Sequence, residues 1–361
     1  MSFTPQRVVR PHIVPAETYV PAQSPGTSGP VVRLDFNESP FGLSTSARAA
    51  FDAFTAGNRY PPFAQDDLVT AIAAYAGVDA ARIMVGAGLD DVFATLAIAT
   101  IDVGDEVIIS DPTFGVYRSL FGVHGATIVD VPLGPAPEFA LDVDGIIAAT
   151  TQRTKLIIIC NPNNPTGTLF AKTDIRRIIE NVDTLVAIDE AYAEFSGAFH
   201  VDLADEYPNV VLLRTLSKFA GLAGYRVGYG IFPPDLMPWI RRAAPAFYNV
   251  SAISAAVAIA SLQDVDELMH NVAVLNQERD ALRANLNELP GVEAYDSAAN
   301  FVLFTVPPEA DARVMAALGE QRIFIRRFGG SLSGTIRVSI GSPEENRLFF
   351  ETVAHAIEAP E

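Results

Sequence analysis

Cysteine, tryptophan and basic residues are all scarce in this chain of 361 residues. It contains 1 Cys and 1 Trp, and its 25 Lys plus Arg face 43 Asp plus Glu, for a net charge of -18 at pH 7. The single Cys160 excludes an intramolecular disulfide and a thiolate metal cluster, and the apolar run before it predicts a buried, unreactive thiol. A surface this acidic repels phosphate backbones and anionic lipids, which makes nucleic acids and membranes poor partners.

Long apolar runs and several common motifs are also missing. No stretch reaches the ~20 apolar residues that a membrane-spanning helix needs, and residues 1–10 hold no apolar core of a signal peptide. The sequence has no Gly-Lys pair of a Walker loop and no His-Glu-x-x-His helix, and its 5 histidines are not spaced as metal ligands. We therefore expect a cytoplasmic protein that binds no metal.

The apolar content is high enough for two folded domains. Hydrophobic residues make up 49% of the chain, which excludes disorder as a description of the whole. A length of 361 residues exceeds one ordinary core. We predict a Pro-rich, extended N-terminal arm over residues 1–30, a large domain over 31–261 and a small C-terminal domain over 262–361. The segment 31–45 is expected to contribute to the small domain and to the edge of the site.

Short apolar runs alternate with helical patterns through the large domain, which indicates a mostly parallel sheet covered by helices on both faces. The predicted helices include Asp90–Ala99 and Lys172–Asn181. The predicted strands are Arg82–Val85, Glu106–Ser110, Thr127–Val131, Leu156–Cys160, Leu185–Asp189, Val210–Leu213 and Val227–Phe232. The fold class is therefore α/β, with a smaller α+β domain after it.

The pattern changes near Ser261, where apolar residues at helical spacing predict one long amphipathic helix of about 28 residues. This helix enters the small domain. The elements predicted after it are a strand at Phe301–Val306, a helix at Asp311–Leu318, strands near Ile323–Arg326 and Thr335–Ile340, and a closing helix from Pro343.

Four segments at the ends of predicted strands hold chemically distinctive residues, and strand ends are where open α/β sheets present ligand sites. The first, Val85–Asp91, is a glycine turn that enters a helix. Its backbone N–H groups could hold a phosphate, although a plain tight turn explains it equally well. The second, Asn161–Gly167, is a rigid corner with two Asn-Pro pairs. A plain turn does not need a particular side chain at every position, so this segment favours a side-chain amide that points at a ligand.

The other two segments supply ionisable side chains. The segment Ala187–Tyr192 delivers Asp189 from an apolar strand, where it either caps the next helix or needs a cationic or hydrogen-bonded partner. The segment Thr215–Lys218 places a lysine after a strand, with Arg226 eight residues further on. That lysine is either a surface residue or a Schiff-base amine that the neighbouring arginine helps to keep unprotonated.

Together, the order and placement of these segments resemble the fold-type I, aspartate aminotransferase-like family, which uses pyridoxal 5′-phosphate (PLP). The resemblance covers essentially the whole chain, from Leu34–Pro40 to Arg337–Gly341, and is greatest for the histidinol-phosphate aminotransferase branch. It rests on Asn-Pro-Thr-Gly at 164–167, Asp-x-x-Tyr at 189–192, Ser-Lys at 217–218 and the arginine eight residues after that lysine.

The resemblance implies a role for each matching residue around the cofactor. Lys218 would form the Schiff base with PLP and shuttle the substrate proton, and Asp189 would keep the pyridine nitrogen protonated. Asn164 and Tyr192 would hydrogen-bond the ring oxygen O3′ and stabilise its phenolate form. The phosphate would be bound by backbone N–H groups of Ala87, Gly88 and Leu89, the hydroxyls of Thr215 and Ser217, and Arg226.

Three further positions match residues that complete the family's site. Phe114 matches the aromatic residue that stacks on the cofactor ring, where many relatives have Tyr. Arg337 matches the arginine that binds the substrate α-carboxylate through two bonds. Tyr60 resembles a tyrosine that reaches into the neighbouring subunit's site, which implies a homodimer with shared active sites. A tyrosine in a Pro-rich turn is the alternative explanation.

The remaining positions that match the family pattern concern the choice of substrate. Asn37 begins Asn-Glu-Ser-Pro-Phe-Gly, where family members usually have Asn-Glu-Asn-Pro-Tyr-Gly, so Phe41 lacks its counterpart's hydroxyl. Arg326 matches the family's arginine for the phosphate of histidinol phosphate, and Arg327 follows it where relatives have Pro.

The resemblance thus implies ping-pong transamination of L-histidinol phosphate with 2-oxoglutarate. The alternatives are an aromatic amino acid aminotransferase and a lyase like threonine-phosphate decarboxylase. A PLP-sensing regulator is disfavoured, because 30 Pro-rich residues cannot supply a DNA-binding domain.

Overall fold

The structure, a computed structural model, describes residues 5–15, 31–244 and 249–359. The predicted N-terminal arm therefore lies largely outside the described residues. Its described part, 5–15, contains a 3-10 turn at Pro5–Arg7 and further turns. Among the described helices, none combines the length and the apolar composition that crossing a bilayer requires.

The described residues form thirteen strands and thirteen α-helices. The strands are β1 (Val32–Arg33), β2 (Ile83–Gly86), β3 (Glu106–Asp111), β4 (Thr127–Pro132), β5 (Thr154–Cys160), β6 (Leu185–Asp189), β7 (Val210–Thr215), β8 (Gly228–Ile231), β9 (Glu293–Ala294), β10 (Phe301–Thr305), β11 (Ile323–Phe324), β12 (Arg326–Arg327) and β13 (Thr335–Ser339). The helices are α1 (Thr45–Ala53), α2 (Asp66–Ala76), α3 (Leu89–Thr100), α4 (Val116–Val123), α5 (Val143–Ala149), α6 (Lys172–Glu180), α7 (Ala193–Ser196), α8 (Val201–Glu206), α9 (Met237–Ala243), α10 (Ala252–Ser261), α11 (Val265–Asn287), α12 (Pro308–Glu320) and α13 (Pro343–Glu358).

The central sheet has seven strands in the order β2-β8-β7-β6-β5-β3-β4. All of them run parallel except β8, which is antiparallel to both of its neighbours. Strands β5, β6 and β7 in the middle are almost wholly buried, whereas β4 at the edge is partly exposed. This arrangement confirms the predicted α/β class with a mostly parallel sheet, and each of its seven strands lies within two residues of the predicted ends.

A second, antiparallel sheet of four strands has the order β12-β13-β10-β9. The strand predicted near Ile323–Arg326 is in fact divided between two sheets. Its first half, β11, pairs in parallel with β1, and its second half, β12, pairs with β13. The predicted long helix is α11, which has 23 residues and is shorter than expected. The domain boundaries themselves stay a prediction.

Candidate active site

A cavity of about 740 Å³ opens at the carboxyl ends of β5, β6 and β7. Parallel strands end at the same edge of a sheet, so side chains that follow different strands meet there. Twelve residues singled out from the sequence line it: Asn37, Leu89, Phe114, Asn164, Asp189, Tyr192, Thr215, Ser217, Lys218, Arg226, Arg326 and Arg337.

Lys218 lies in the turn after β7, and its Nζ donates a hydrogen bond to the backbone oxygen of Phe36 over 2.9 Å. Burial, together with the positive charges of Arg337 and Arg226, lowers the pKa of Lys218 from 10.5 to about 8. At pH 7 about a tenth of a lysine with that pKa is neutral, far more than of an ordinary lysine, and the neutral form is the one that acts as a nucleophile or a general base. Because Lys218 is partly buried and lines the cavity, it is not a surface lysine, and its role as a Schiff-base amine stays a prediction.

Asp189 ends β6 and is buried. One carboxylate oxygen, Oδ2, accepts a hydrogen bond from the Tyr117 hydroxyl, and Oδ1 accepts one from the Ala191 N–H at 3.0 Å. Burial raises the pKa of Asp189 to about 6 in spite of these two bonds. The next helix begins only at Ala193, so Asp189 does not cap it. A cationic group in the cavity would favour the charged carboxylate.

The hydroxyl of Tyr192 accepts two hydrogen bonds from side-chain amides. Asn37 Nδ2 lies 2.9 Å from it and Asn164 Nδ2 lies 3.3 Å from it. Because both amides donate, the proton of the hydroxyl is left for a third acceptor. Asn37 is held in place by a left-handed backbone (φ 54) and by bonds to Ser339 on β13.

Arg337 on β13 is buried, and its guanidinium is fixed by two oxygen atoms. Nη1 donates to Asn164 Oδ1 and Nη2 donates to the backbone oxygen of Asp35, each over 2.6 Å. The guanidinium also lies over the ring of Phe301, 5.3 Å from its centroid. A rigid planar fork of this kind is suited to a carboxylate.

A second cation in the cavity wall, Arg226, lies beside the first turn of α3. Its Nη2 donates to Asp90 Oδ2 over 3.0 Å. The hydroxyls of Thr215 and Ser217 lie 2.9 Å apart and also line the cavity. Hydroxyls, a guanidinium and the start of a helix together make a suitable corner for a phosphate.

Two of the backbone groups predicted for that corner are engaged elsewhere. The N–H of Ala87 donates to the Asp91 carboxylate at 2.9 Å, and the N–H of Gly88 donates to the Gly86 oxygen at 2.8 Å. Of the predicted three, Leu89 is the residue that lines the cavity. The phosphate role of Ala87 and Gly88 stays a prediction.

Two other residues predicted from the sequence lie outside the cavity wall. The Tyr60 side chain is 82% exposed on the surface of this chain. Phe41 packs against the hydrophobic core, with its backbone against Gly221. Their proposed contacts with the cofactor and the substrate stay predictions.

The two consecutive arginines of β12 face different ways, as neighbouring residues of a strand do. Arg326 pairs in register with Arg337 on β13 and lines the cavity. Arg327 forms an ion pair with both oxygens of Asp311, at 2.8 and 3.0 Å. The arginine that replaces the usual Pro is therefore turned away from the site.

Two features of the site were not predicted from the sequence: the contact of Tyr117 with Asp189 and the position of Cys160 in the cavity wall. Tyr117 lies in the first turn of α4, and its N–H donates to the backbone oxygen of Phe114, just before the helix, over 3.1 Å. Cys160 ends β5 in register with Asp189 and lines the cavity. Its thiol is buried, as predicted, and burial raises its pKa.

Known proteins with similar sequences and structures share this architecture. The model of the family described as aminotransferase class I and II matches residues 29–353. The chain is 37% identical to the histidinol-phosphate aminotransferase of Roseiflexus castenholzii, with 94% of this chain and 95% of the relative covered. It is 40% identical to the aromatic amino acid aminotransferase of Rhodococcus jostii, with 91% and 92% covered. Among solved structures, histidinol-phosphate aminotransferase from Sinorhizobium meliloti in complex with pyridoxal-5′-phosphate superposes with a TM-score of 0.82, at 27% identity and 90% coverage of both chains.

Proposed function

The chain belongs to the class I and II aminotransferases and is a PLP-dependent transaminase; from this premise we propose that its amino donor is L-histidinol phosphate and its acceptor 2-oxoglutarate. The products would be imidazole acetol phosphate and L-glutamate, a step of histidine biosynthesis. The two half-reactions would use the same cavity in turn, with the first product leaving before the second substrate binds. Such a reaction follows ping-pong kinetics.

The donor set of the cavity fits PLP. The spare proton of the Tyr192 hydroxyl suits the ring oxygen O3′, and the buried carboxylate of Asp189 suits a protonated ring nitrogen. Arg226, Thr215 and Ser217 form a corner for the phosphate. When bound, PLP supplies a sink for the electron pair that remains when the Cα–H bond of the donor breaks.

The chain's own residues would perform the proton transfers and hold the reactants. Lys218 Nζ, with its lowered pKa, is suited to take the proton from the donor Cα and deliver it to carbon C4′ of the cofactor. Asp189 would keep a proton on the ring nitrogen, and Asn164 with Tyr192 would hold O3′. Phe114 in the wall would cover one face of the ring.

The observation that carries the substrate proposal is a pair of arginines side by side in the cavity wall. Arg326 and Arg337 occupy register partners on neighbouring strands, and both line the wall. Histidinol phosphate has a phosphate and no carboxylate, whereas 2-oxoglutarate has two carboxylates. Two adjacent guanidinium groups can serve both substrates in alternation, because each substrate presents an anionic end to the same wall.

A second candidate is an aromatic amino acid as the donor. The wall contains the rings of Phe36, Phe93, Phe114 and Phe328, which would accommodate a phenylalanine or tyrosine side chain. The similarity to the Rhodococcus jostii enzyme supports the same alternative. In that case Arg337 would bind the donor's α-carboxylate and Arg326 would make no contact with it.

A substrate panel separates the two candidates. We expect kcat/KM with 2-oxoglutarate to be greater for histidinol phosphate than for phenylalanine or tyrosine. In Arg326→Gln the value for histidinol phosphate should fall at least about tenfold while that for phenylalanine stays within about twofold. The matched control is Arg327→Gln, which removes the adjacent arginine that is turned away. A larger value for phenylalanine in the wild type would overturn the substrate and leave the reaction class intact.

The cofactor assignment has its own test. Purified protein supplied with PLP should absorb visible light, and Lys218→Ala should lose this absorption together with activity. A wild-type protein that stays colourless after incubation with PLP would contradict the roles assigned to the cavity residues.

We further propose a cytoplasmic homodimer in which Tyr60 completes the partner's site. The exposure of the Tyr60 and Phe63 side chains, 82% and 65%, suits a surface that a second subunit covers. Mixing two inactive variants, Lys218→Ala and Tyr60→Ala, should restore part of the activity, because a hybrid dimer contains one site with both residues intact. No recovery after verified subunit exchange would contradict the shared site.

A further inference from the structure

We propose that Tyr117 is a positioning residue for two side chains that would hold the cofactor ring. These are Asp189, whose carboxylate would pair with the ring nitrogen, and Phe114, whose ring would stack on the cofactor. The proposal rests on the proposed function, in which Asp189 and Phe114 contact the ring. Tyr117 itself does not line the cavity, so it would act through these two residues.

The first supporting contact is the hydrogen bond to Asp189. Tyr117 lies on α4 with 1% of its surface exposed, and its hydroxyl donates to Asp189 Oδ2. The other oxygen, Oδ1, accepts the Ala191 N–H at 3.0 Å. With one donor on each oxygen, the plane of the carboxylate is fixed, and the remaining lone pairs are available to the cavity.

The second contact is aromatic. The ring of Phe114 meets that of Tyr117 edge to face, with centroids 5.5 Å apart and an interplanar angle of 87°. A third ring, Phe93, also packs on Tyr117 at 5.2 Å and 61°. Tyr117 is therefore held between two rings, and a shift of its side chain would move Phe114 as well.

The chemistry of the phenol suits a permanent donor. Burial and the negative charge of Asp189 raise the pKa of Tyr117 well above 10. The hydroxyl thus stays protonated throughout the neutral range and always donates to the carboxylate. A Phe at this position would keep the ring contacts and leave one buried carboxylate oxygen without this donor.

The test compares Tyr117→Phe with a matched control, Tyr75→Phe. Tyr75 also donates its hydroxyl to a buried carboxylate, Glu194, at 3.0 Å, and it does not line the cavity. Both variants should unfold at somewhat lower temperature than the wild type. Only Tyr117→Phe should raise the dissociation constant of PLP and lower kcat, each by about tenfold, with an altered absorption maximum of the bound cofactor and an unchanged KM for 2-oxoglutarate.

Equal PLP dissociation constants, spectra and kcat in the two variants would overturn the proposal and leave Tyr117 a purely structural residue. If Tyr117→Phe does not fold, 3,5-difluorotyrosine at position 117 keeps the shape and strengthens the donor, so an unchanged absorption maximum would overturn the proposal. Failure of the proposed function is distinguishable, because the wild-type protein itself would then not bind PLP or transaminate.

Discussion

Arg337 Nη1 and Asn164 Oδ1 are joined by a hydrogen bond of 2.6 Å. The two residues come from different sheets, since Asn164 follows β5 and Arg337 lies on β13. The same amide donates from Nδ2 to the Tyr192 hydroxyl over 3.3 Å. One side chain thus connects the cation proposed for the substrate carboxylate with the hydroxyl proposed for the cofactor oxygen.

This connection predicts that Arg337→Lys is not a conservative change. An ammonium cannot reach Asn164 and the Asp35 oxygen while presenting a two-pronged donor to a carboxylate. We expect kcat/KM for 2-oxoglutarate to fall by about tenfold to a hundredfold, the equivalent of one or two charge-assisted hydrogen bonds. Steady-state kinetics measure this, with Arg327→Lys as the control on the neighbouring strand. A decrease in kcat/KM of less than twofold would show that the Arg337 guanidinium does not bind the carboxylate through two bonds.

The lowered pKa of Lys218 predicts the pH dependence of cofactor uptake. A lysine with a pKa of about 8 is mostly protonated below that pH and mostly neutral above it. The initial rate at which PLP-free protein binds PLP should therefore rise about tenfold per pH unit up to pH 8 and then level off. An ordinary lysine would give a rise that continues beyond pH 10.

The same profile tests the cause of the shift. Burial is the larger cause and Arg337 the next, so Arg337→Gln should move the midpoint of the profile to higher pH. The control is Arg326→Gln, which should leave the midpoint in place. A midpoint that stays the same in both variants would contradict the electrostatic contribution of Arg337.

The fold was predictable because the strands of the central sheet are buried on both faces. Continuous runs such as Leu156–Cys160 are typical of that environment, and the structure places β5 and β6 within two residues of their predicted ends. The division of Ile323–Arg326 between two sheets was not predictable. It depends on β1, a strand of only two residues that lies almost 300 residues earlier in the chain.

The site was predictable where residues follow strand ends and was not where they sit inside helices. Asp189, Asn164 and Lys218 come directly after apolar runs, and the sheet brings them together. Tyr117 sits in a helix whose apolar pattern marks it only as a core residue, and nothing local shows that its hydroxyl meets Asp189. Such a contact depends on packing between elements, which periodicity does not contain.

A buried ion pair formed by Glu190, the residue after Asp189, predicts a large effect on stability. Glu190 Oε2 accepts Arg214 Nε at 2.6 Å, and Oε1 accepts His200 Nδ1 at 2.9 Å. Glu190→Gln would leave the buried arginine without its counter-charge, so the free energy of unfolding should fall by about 3–5 kcal/mol. Denaturant unfolding measures this. The control, Glu206→Gln, breaks an exposed pair with Arg176 and should have no measurable effect.

The sign of the pH dependence checks the same ion pair. Burial alone would raise the pKa of Glu190, but Arg214 and His200 outweigh it and hold the pKa below its ordinary value. The stabilising contribution is therefore complete above the ordinary glutamate pKa of ~4.3 and is lost as the pH falls. The stability difference between wild type and Glu190→Gln should shrink toward low pH; a difference that grows there would refute the pairing.

The phosphate corner depends on a glycine whose missing side chain makes room for Arg226. A Cβ at Gly88 would lie 2.3 Å from Arg226 Nη2, and the residue has a left-handed backbone with φ +86. Gly334 has the same φ of +86 with nothing within 4 Å, so Gly334→Ala carries the backbone strain of ~1–2 kcal/mol without the collision. Both alanine variants should lose similar stability, but only Gly88→Ala should displace the guanidinium and raise the dissociation constant of PLP, by about tenfold or more. Fluorescence titration of the cofactor-free proteins measures this, and equal PLP affinities in the two variants would show that Arg226 does not hold the phosphate.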